Sequence, residues 1–289
     1  MNLSPIPPLS QQAKEWIRQH APIHLGKNIR TVKWTTWTGE VKHNSLGGVN
    51  YLTPKEGKVV EIDDLFTAIK VGTNDFCIVL SSLMDAAVSV GDKVALNFYQ
   101  LRRFDGSLAD GSEDESKNGC RTIALTGART IFPVKWKGRC LGINDRFADS
   151  YTTIGNPYLR DFITQMETIA VDGGLRHVVN ILVDAGATQL SFNDPSEEDS
   201  AVDAPAIRCQ VNTAKHRGGI EIGYDRASDT YYVHTTDGKD TIERLEDVHF
   251  DELGPVLIAL IDDRAWLKAR VTVLKPAPKK RSATMAEAA

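Results

Sequence analysis

GIEIGYDRASDTYYVHTT, residues 219–236, is the most regularly patterned stretch of the 289-residue chain. Apolar and aromatic residues recur at every second position of its two flanks, as in a half-buried strand: Ile220, Ile222 and Tyr224, then Tyr231 and Val233. Between the flanks, residues 226–229 (RASD) have the composition of a four-residue loop built around a type I turn. The stretch therefore predicts a β-hairpin.

The wider region, residues 213–240, also contains side chains of the kinds found in active sites. If the protein is an enzyme, the first candidates are His216, Asp225 and His234. Their spacing matches no metal-binding or nucleophile motif, and AKHRGG (214–219) leads into a strand where a phosphate-binding loop needs a helix. The sequence predicts no metal and no cofactor, and an enzyme with its site near 213–240 is the third functional alternative.

Composition is that of a globular protein, with 42% hydrophobic and 25% charged residues. No apolar run approaches the roughly 20 residues needed to span a bilayer, so we expect no contact with membranes. The N-terminal residues lack the pattern of a secretory signal, which predicts a cytoplasmic location. The four cysteines are far apart, which predicts free thiols with no zinc site: Cys77, Cys120, Cys140 and Cys209.

The net charge of −4 hides a difference between the two halves of the chain. Residues 1–150 carry 19 basic and 16 acidic residues, whereas residues 151–275 carry 12 basic and 21 acidic ones. Halves of opposite sign indicate two domains with separate demands on their surfaces.

The first predicted domain covers residues 1–142. Ser10 is the expected cap of an N-terminal helix that ends before Pro22. From residue 29 to about 137, short β-branched and aromatic runs alternate with glycine-containing turns. This pattern predicts an N-terminal helix plus a small, mostly antiparallel β-barrel of the SH3-like or OB-like kind.

The second predicted domain is an acidic α+β domain at residues 155–275, after a linker at 143–154. Asn156 as cap and Pro157 at the first position mark the start of a helix, and a second helix is expected at 175–184. Together with the hairpin, these helices predict an α+β fold with the helices on one face of an antiparallel sheet. Residues 276–289 predict a disordered basic tail.

Cationic and aromatic residues interleave on the predicted strands of the first domain. Single-stranded nucleic acid is bound by such sets, because bases stack on aromatic rings while Lys and Arg contact phosphates. The candidate contact residues are Lys33, Trp34, Trp37, Arg102, Arg103, Lys135 and Lys137. Trp34 and Trp37 are three residues apart and cannot both face inward on a regular strand.

The sequence thus favours a non-catalytic cytoplasmic binding or accessory protein. The leading interpretation is a protein–protein adaptor that presents its acidic second domain to a protein partner of unknown identity. Binding of single-stranded nucleic acid by the basic, aromatic-bearing barrel is the alternative.

Overall fold

The computed structural model describes residues 7–43, 45, 49–104, 106–109, 133–136, 139–142, 154–238 and 240–278, and for 133–136 and 139–142 the backbone only. The helices in these ranges are α1 (Leu9–His20), α2 (Pro157–Thr168), α3 (Val178–Asp184) and α4 (Leu253–Ile261). The strands are β1 (Lys33–Trp37), β2 (Lys55–Ile62), β3 (Phe66–Lys70), β4 (Asp75–Leu80), β5 (Lys93–Asn97), β6 (Pro133–Trp136), β7 (Arg139–Gly142), β8 (Ala170–Val171), β9 (Arg176–His177), β10 (Thr188–Asn193), β11 (Ala206–Asn212), β12 (Arg217–Asp225), β13 (Thr230–Asp237), β14 (Asp240–Val248) and β15 (Arg270–Lys275). The fold is α+β with mostly antiparallel sheets, as predicted.

The chain divides into two compact units. The first consists of Met1–Lys42, Tyr51–Tyr99 and Trp266–Ala289, and the second of His43–Asn50 and Gln100–Ala265. The sequence-based boundaries, 1–142 and 155–275, group the segments differently and stay predictions. The proposed linker falls outside the described residues up to 153, and so does the tail from residue 279 onward.

The first unit is built on a six-stranded sheet in the order β1-β4-β3-β2-β5-β15. β1 and β4 run parallel, and the other neighbours are antiparallel. Helix α1 contributes Ala13 and Ile17 to a buried cluster with Phe66 and Phe76 of the sheet. The apolar stripe of the helix is therefore buried in the core, as amphipathic spacing requires.

A closed barrel was expected from these strands, and this prediction is wrong for the described residues. Strands β1 and β15 are the two edges of an open sheet, because neither has a second neighbour in it. β15 pairs antiparallel with β5, with Arg270 opposite Asn97. The partner of β15 lies more than 150 residues earlier in the sequence, so the local residue pattern could not indicate this pairing. The likeness to SH3 or OB folds stays a prediction.

The cap of helix α1 also differs from the sequence prediction. Ser10 lies inside the helix, which begins at Leu9, and Pro8 at the cap position offers no side-chain hydrogen bond. Instead, the Glu40 carboxylate accepts hydrogen bonds from the backbone N–H groups of Leu9 (2.8 Å) and Ser10 (3.0 Å). A carboxylate at a helix N-terminus satisfies unpaired donors and interacts favourably with the helix dipole.

The second unit is built on an antiparallel sheet in the order β10-β11-β12-β13-β14. The predicted hairpin is confirmed as β12 and β13, with Asp225 opposite Thr230 beside the loop. The predicted start of α2 is confirmed as well, since the Asn156 side chain accepts hydrogen bonds from the N–H groups of Tyr158 and Leu159. Helices α2, α3 and α4 share one buried cluster with the inward face of β11–β13.

A buried arginine ties together three segments of the second unit. Arg176 is fully buried, and its guanidinium donates to Asp172, Asp184 and Asp262 at 2.5–2.9 Å. Burial alone would lower the pKa of Arg176, but Asp184 and Asp262 outweigh it, so the pKa is raised and the charge is retained. We call these four residues the Arg176 cluster.

Candidate functional site: an aromatic and acidic cleft

A cleft of about 710 Å³ opens in the second unit beside helix α2, the turn of the β12–β13 hairpin and the two residues that follow β14. Five aromatic rings line it: Tyr158, Phe162, Tyr224, Tyr231 and Phe250. Ile169 and four polar side chains complete the lining: Asp161, Gln165, Asp229 and His249. Ligand pockets of small to moderate size have similar volumes.

Regular secondary structure brings these side chains together. Tyr158, Asp161 and Gln165 are three and four residues apart on α2, so they share one helix face. Tyr224 and Tyr231 are directly opposite each other across the hairpin. Because side chains of a cross-strand pair point to the same face of a sheet, both rings face the helix. The cleft is therefore built on two regular elements.

Four of the five rings form a continuous aromatic surface. The ring centroids of Phe162 and Tyr231 are 5.0 Å apart, those of Tyr231 and Tyr224 are 5.5 Å apart, and those of Tyr224 and Tyr158 are 5.9 Å apart. Phe162 and Tyr231 are buried and make the floor, whereas Phe250 is 61% exposed. Such spacings are typical of favourable aromatic contacts.

Two of the three tyrosine hydroxyls on this surface donate hydrogen bonds to groups within the cleft. Tyr224 donates to Asp229 at 2.6 Å, and Tyr231 donates to Gln165. Burial, with the hydrogen bond to Asp229, raises the pKa of Tyr224 to about 12. Burial and the negative charges of Asp229 and Asp161 raise the pKa of Tyr231 to about 12. Both carboxylates therefore create a negative potential at the Tyr231 hydroxyl.

No cation neutralises these two carboxylates in the part of the chain that the structure describes. None of the ion pairs found there includes Asp161 or Asp229. The guanidinium of Arg226 lies beside one of the rings, with its Cζ 4.1 Å from the ring centroid of Tyr158. Arg226 is engaged elsewhere, because its Nη1 donates to the Glu197 carbonyl (2.6 Å) and the Ser200 hydroxyl (2.8 Å).

The tryptophans of the predicted nucleic-acid set differ in burial. Trp37 is 7% exposed, and its indole N–H donates to the Leu267 carbonyl at 2.7 Å, so its ring belongs to the core. Trp34 is half-buried, with the guanidinium of Arg18 5.7 Å from its ring centroid. Lys33 is exposed on the same edge strand. Of the two tryptophans, Trp34 is thus the more accessible.

The remaining members of that set are in other parts of the chain. Arg102 and Arg103 belong to the second unit, where Arg102 Nη1 donates to the Gly106 carbonyl and the backbone N–H of Arg103 donates to Ser107. The side chain of Lys135 and the whole of Lys137 lie outside the described residues. A common nucleic-acid surface formed by the seven residues stays a prediction.

The three candidate catalytic residues do not meet in the structure. His216 directly precedes β12 and Asp225 is the last residue of that strand, which puts their backbones roughly 25–30 Å apart at about 3.3 Å per residue. The His216 ring is hydrogen-bonded to the Gly219 carbonyl (3.1 Å), and the Asp225 carboxylate accepts a hydrogen bond from the N–H of Ala227 (2.8 Å). The His234 ring is hydrogen-bonded to the Glu246 carboxylate (3.0 Å). Each residue is engaged in a local hydrogen bond, and an enzyme site shared by the three has no geometric support.

Sequence reasoning missed the cleft because its residues had simpler explanations. Tyr224 and Tyr231 were assigned to the hydrophobic face of the hairpin, and Asp229 to the turn. A usable signal was present, since α2 carries a tyrosine and an aspartate on the face that packs toward the hairpin. Phe250 gave no periodic signal, because it lies in a turn after β14.

Other kinds of site have little support in the described ranges. No group of three or more metal-ligating side chains occurs there, and no helix there is long and apolar enough to cross a membrane. Cys77 and Cys209 are free and buried, and burial raises the pKa of each thiol to about 12.

Comparison with known proteins shows no match to a family model, a curated protein or a solved structure. The cleft is therefore the best-defined candidate site.

Proposed function

We propose that this chain is a non-catalytic binding protein, a protein–protein adaptor, and that the cleft of the second unit binds a basic segment of its partner. The observation that carries the proposal is the combination of an aromatic wall with two carboxylates, Asp161 and Asp229, that have no ion-pair partner among the described residues. A cation over an aromatic face is stabilised by about 0.5–2 kcal/mol, and nearby carboxylates add to this attraction.

Long-range charge supports the same partner chemistry. Residues 151–275 carry 21 acidic and 12 basic residues, a net charge of −9. A field of one sign raises the association rate of oppositely charged partners and disfavours partners of like charge. The cleft volume of about 710 Å³ accommodates a long basic side chain together with part of the backbone that carries it.

Isothermal titration calorimetry of the full chain with a lysine-rich peptide, and with an acidic peptide of equal length, tests the proposal. We expect binding of the basic peptide only, and about tenfold weaker binding to the double variant Asp161→Asn/Asp229→Asn, because the cleft then loses both charges. The matched control is Asp240→Asn/Glu243→Gln, which removes the same charge from the exposed strand β14. Equal loss of affinity in the two double variants contradicts binding in the cleft.

Nucleic-acid binding is the second candidate, and one observation favours it. Lys33, Trp34 and Arg18 form an accessible cationic and aromatic group at the edge strand β1. Fluorescence anisotropy with a single-stranded oligonucleotide is expected to show binding, and the logarithm of the binding constant should fall linearly with the logarithm of the salt concentration. The double variant Arg18→Ala/Lys33→Ala is expected to bind the oligonucleotide more weakly. Absence of binding at low salt contradicts this candidate.

Both candidate functions are proposed together with three further predictions from the sequence: a cytoplasmic location, a two-domain organisation and an SH3-like or OB-like first domain.

A further inference from the structure

We infer that the first unit binds the phosphate backbone of duplex nucleic acid through a row of four lysines that crosses its sheet. The row consists of Lys70 of β3, Lys58 of β2, Lys93 of β5 and Lys275 of β15, and we call it the lysine row. This site goes beyond the adaptor function, which concerns the cleft of the second unit. It also shares no residue with the group proposed above for single-stranded nucleic acid.

Strand register places the four lysines side by side. Lys58 is directly opposite Lys70 on one side and Lys93 on the other. Lys93 is in turn directly opposite Lys275. Because residues directly opposite each other share a face of the sheet, all four side chains leave the sheet on the same side. Neighbouring strands lie about 4.8 Å apart, so the row extends over about 14 Å from β3 to β15.

The stability of the sheet does not explain the lysine row. Like charges directly opposite each other on neighbouring strands are destabilising, and the row contains three such contacts in succession. The other face of the same strands belongs to the core, where Val59 and Val94 are fully buried. Lys58, Lys93 and Lys275 are by contrast exposed. A solvent-facing row that costs stability is explained by an anion that neutralises it.

Little of this positive charge is neutralised by the described residues. Of the ion pairs found among them, only one involves the row, between Lys93 and Glu56 at 3.7 Å. Lys70 donates to the His24 carbonyl at 2.6 Å, which is a neutral acceptor. The first unit as a whole has 16 basic and 10 acidic residues, whereas the second has 18 and 28. The net positive charge of the first unit favours the approach of a polyanion.

The shape of this face favours nucleic acid over a lipid surface. Helix α1 packs on the same face, on Phe66 and Phe76, and Phe76 is directly opposite Lys70. An α-helix with its side chains is about 10 Å in diameter, so a flat bilayer meets α1 before it reaches the row. The convex surface of a nucleic-acid duplex can approach the half of the sheet that the helix leaves uncovered.

The neighbours of the lysine row restrict recognition to the backbone of the nucleic acid. Strands β2, β5 and β15 place five further residues on the same face: Glu56, Ala95, Asn97, Arg270 and Thr272. None of these five carries an aromatic ring, whereas proteins that hold single strands use such rings to stack bases. Phosphate contacts alone carry no sequence information. A duplex carries more phosphates per unit length than a single strand, so recognition by charge favours the duplex.

Fluorescence anisotropy of the full chain with a short labelled DNA duplex tests the inference. The logarithm of the binding constant should fall linearly with the logarithm of the salt concentration. The triple variant Lys58→Gln/Lys93→Gln/Lys275→Gln should bind about tenfold more weakly at low salt. The slope of its salt plot should be smaller by about 2–3, because each lost phosphate contact removes about 0.9. Duplexes of unrelated sequence should bind equally.

A matched control separates the row from net charge. Lys14→Gln/Lys27→Gln/Lys268→Gln removes the same charge from exposed lysines of the first unit that lie outside its sheet. Equal losses of affinity in the two triple variants overturn the row as the binding site. The melting temperature of the row variant should equal or exceed that of the parent, because repulsion between neighbouring lysines is removed. A clearly lower melting temperature assigns the lysines to the fold and overturns the inference.

Three further outcomes distinguish this inference from the proposed functions. No binding of the duplex at low salt overturns it and leaves the adaptor function standing, because that function is measured with a basic peptide. Tighter binding of a single strand than of the duplex, lost in Arg18→Ala/Lys33→Ala, overturns it in favour of the site at β1. Tighter binding of polyglutamate than of the duplex overturns nucleic acid as the ligand and assigns the row to an acidic protein.

Discussion

The Arg176 cluster and the aromatic cleft both contain several carboxylates of the second unit, but only the carboxylates of the cluster are paired with a cation. In the cluster, a fully buried guanidinium meets Asp172, Asp184 and Asp262, so that the carboxylates are paired inside the protein. In the cleft, Asp161 and Asp229 lie in the same lining as the aromatic rings, and neither takes part in an ion pair among the described residues.

This difference separates carboxylates that hold the fold together from carboxylates that are available to a ligand. A buried charge is tolerated only when its partners are supplied by the protein, and removal of one partner leaves the others unpaired in a low-dielectric interior. An exposed carboxylate beside an aromatic surface is solvated by water and does not need a partner within the protein for the fold to be stable. Mutations in the Arg176 cluster should therefore lower the stability of the protein, whereas mutations of Asp161 and Asp229 should lower its affinity for a ligand.

The largest effect on stability is expected from Arg176→Met. This variant keeps most of the side-chain volume but leaves three carboxylates without their common partner, so the free energy of unfolding should fall by about 3–5 kcal/mol. Urea unfolding followed by circular dichroism measures the change. Arg208→Met is the matched control, because Arg208 pairs with Glu221 on the surface and exposed pairs contribute about 0–1 kcal/mol. Similar losses in the two variants would contradict the structural role of the cluster.

An intermediate effect is expected at Glu40, whose carboxylate is paired with N–H donors. Burial acts to raise the pKa of Glu40, but hydrogen bonds from Ser10, Leu9 and Thr38 outweigh it, so the pKa lies below its ordinary value of 4.5. A group whose pKa is lowered in the folded state contributes stability above its unfolded pKa and loses it as the pH falls through the folded pKa. Glu40→Gln should cost about 1 kcal/mol at neutral pH, as lost helix caps do.

Thermal unfolding at several pH values checks this expectation. The melting temperatures of the parent chain and of Glu40→Gln should differ at neutral pH and converge as the pH falls below 4.5. Glu243→Gln, on the exposed strand β14, provides a control with the same chemical change. A gap between the parent and Glu40→Gln that persists unchanged into acid would show that the charge of Glu40 is not responsible.

The smallest effect on stability is expected from Asp161→Asn and Asp229→Asn. Neither removes an ion pair, and the asparagine at 229 still accepts from Tyr224 and tolerates the positive φ of 56° at that position. The free energy of unfolding should change by less than about 0.5 kcal/mol in urea titrations. A loss comparable with that of Arg176→Met would assign these carboxylates to the fold and contradict the separation drawn above.

Local patterns were sufficient for the elements that form the cleft. The alternation in residues 219–225 and 230–236 predicted the hairpin, and Asn156 with Pro157 predicted the start of α2. In both cases the signal and the structure it produces lie within a few residues of each other. The α+β class followed from the same elements.

Features that depend on distant partners were not predictable from the sequence. Glu40 caps a helix 30 residues earlier in the chain, and nothing near Ser10 indicates this. Arg176 is buried among Asp172, Asp184 and Asp262, and the last of these lies 86 residues later in the chain. The cleft was missed for a related reason: Tyr224 and Tyr231 pack against the core, and only the assembled structure shows that helix α2 brings Tyr158 beside them.

The antiparallel pairing of β15 with β5 has a consequence for synthesis on the ribosome. Arg270 lies opposite Asn97, so the two strands are made about 170 residues apart. During translation the outer edge of β5 therefore stays without its partner until the whole intervening segment has emerged. The sheet of the first unit therefore cannot be complete before β15 has been synthesised, and a nascent chain halted before residue 270 lacks the strand that covers this edge of β5.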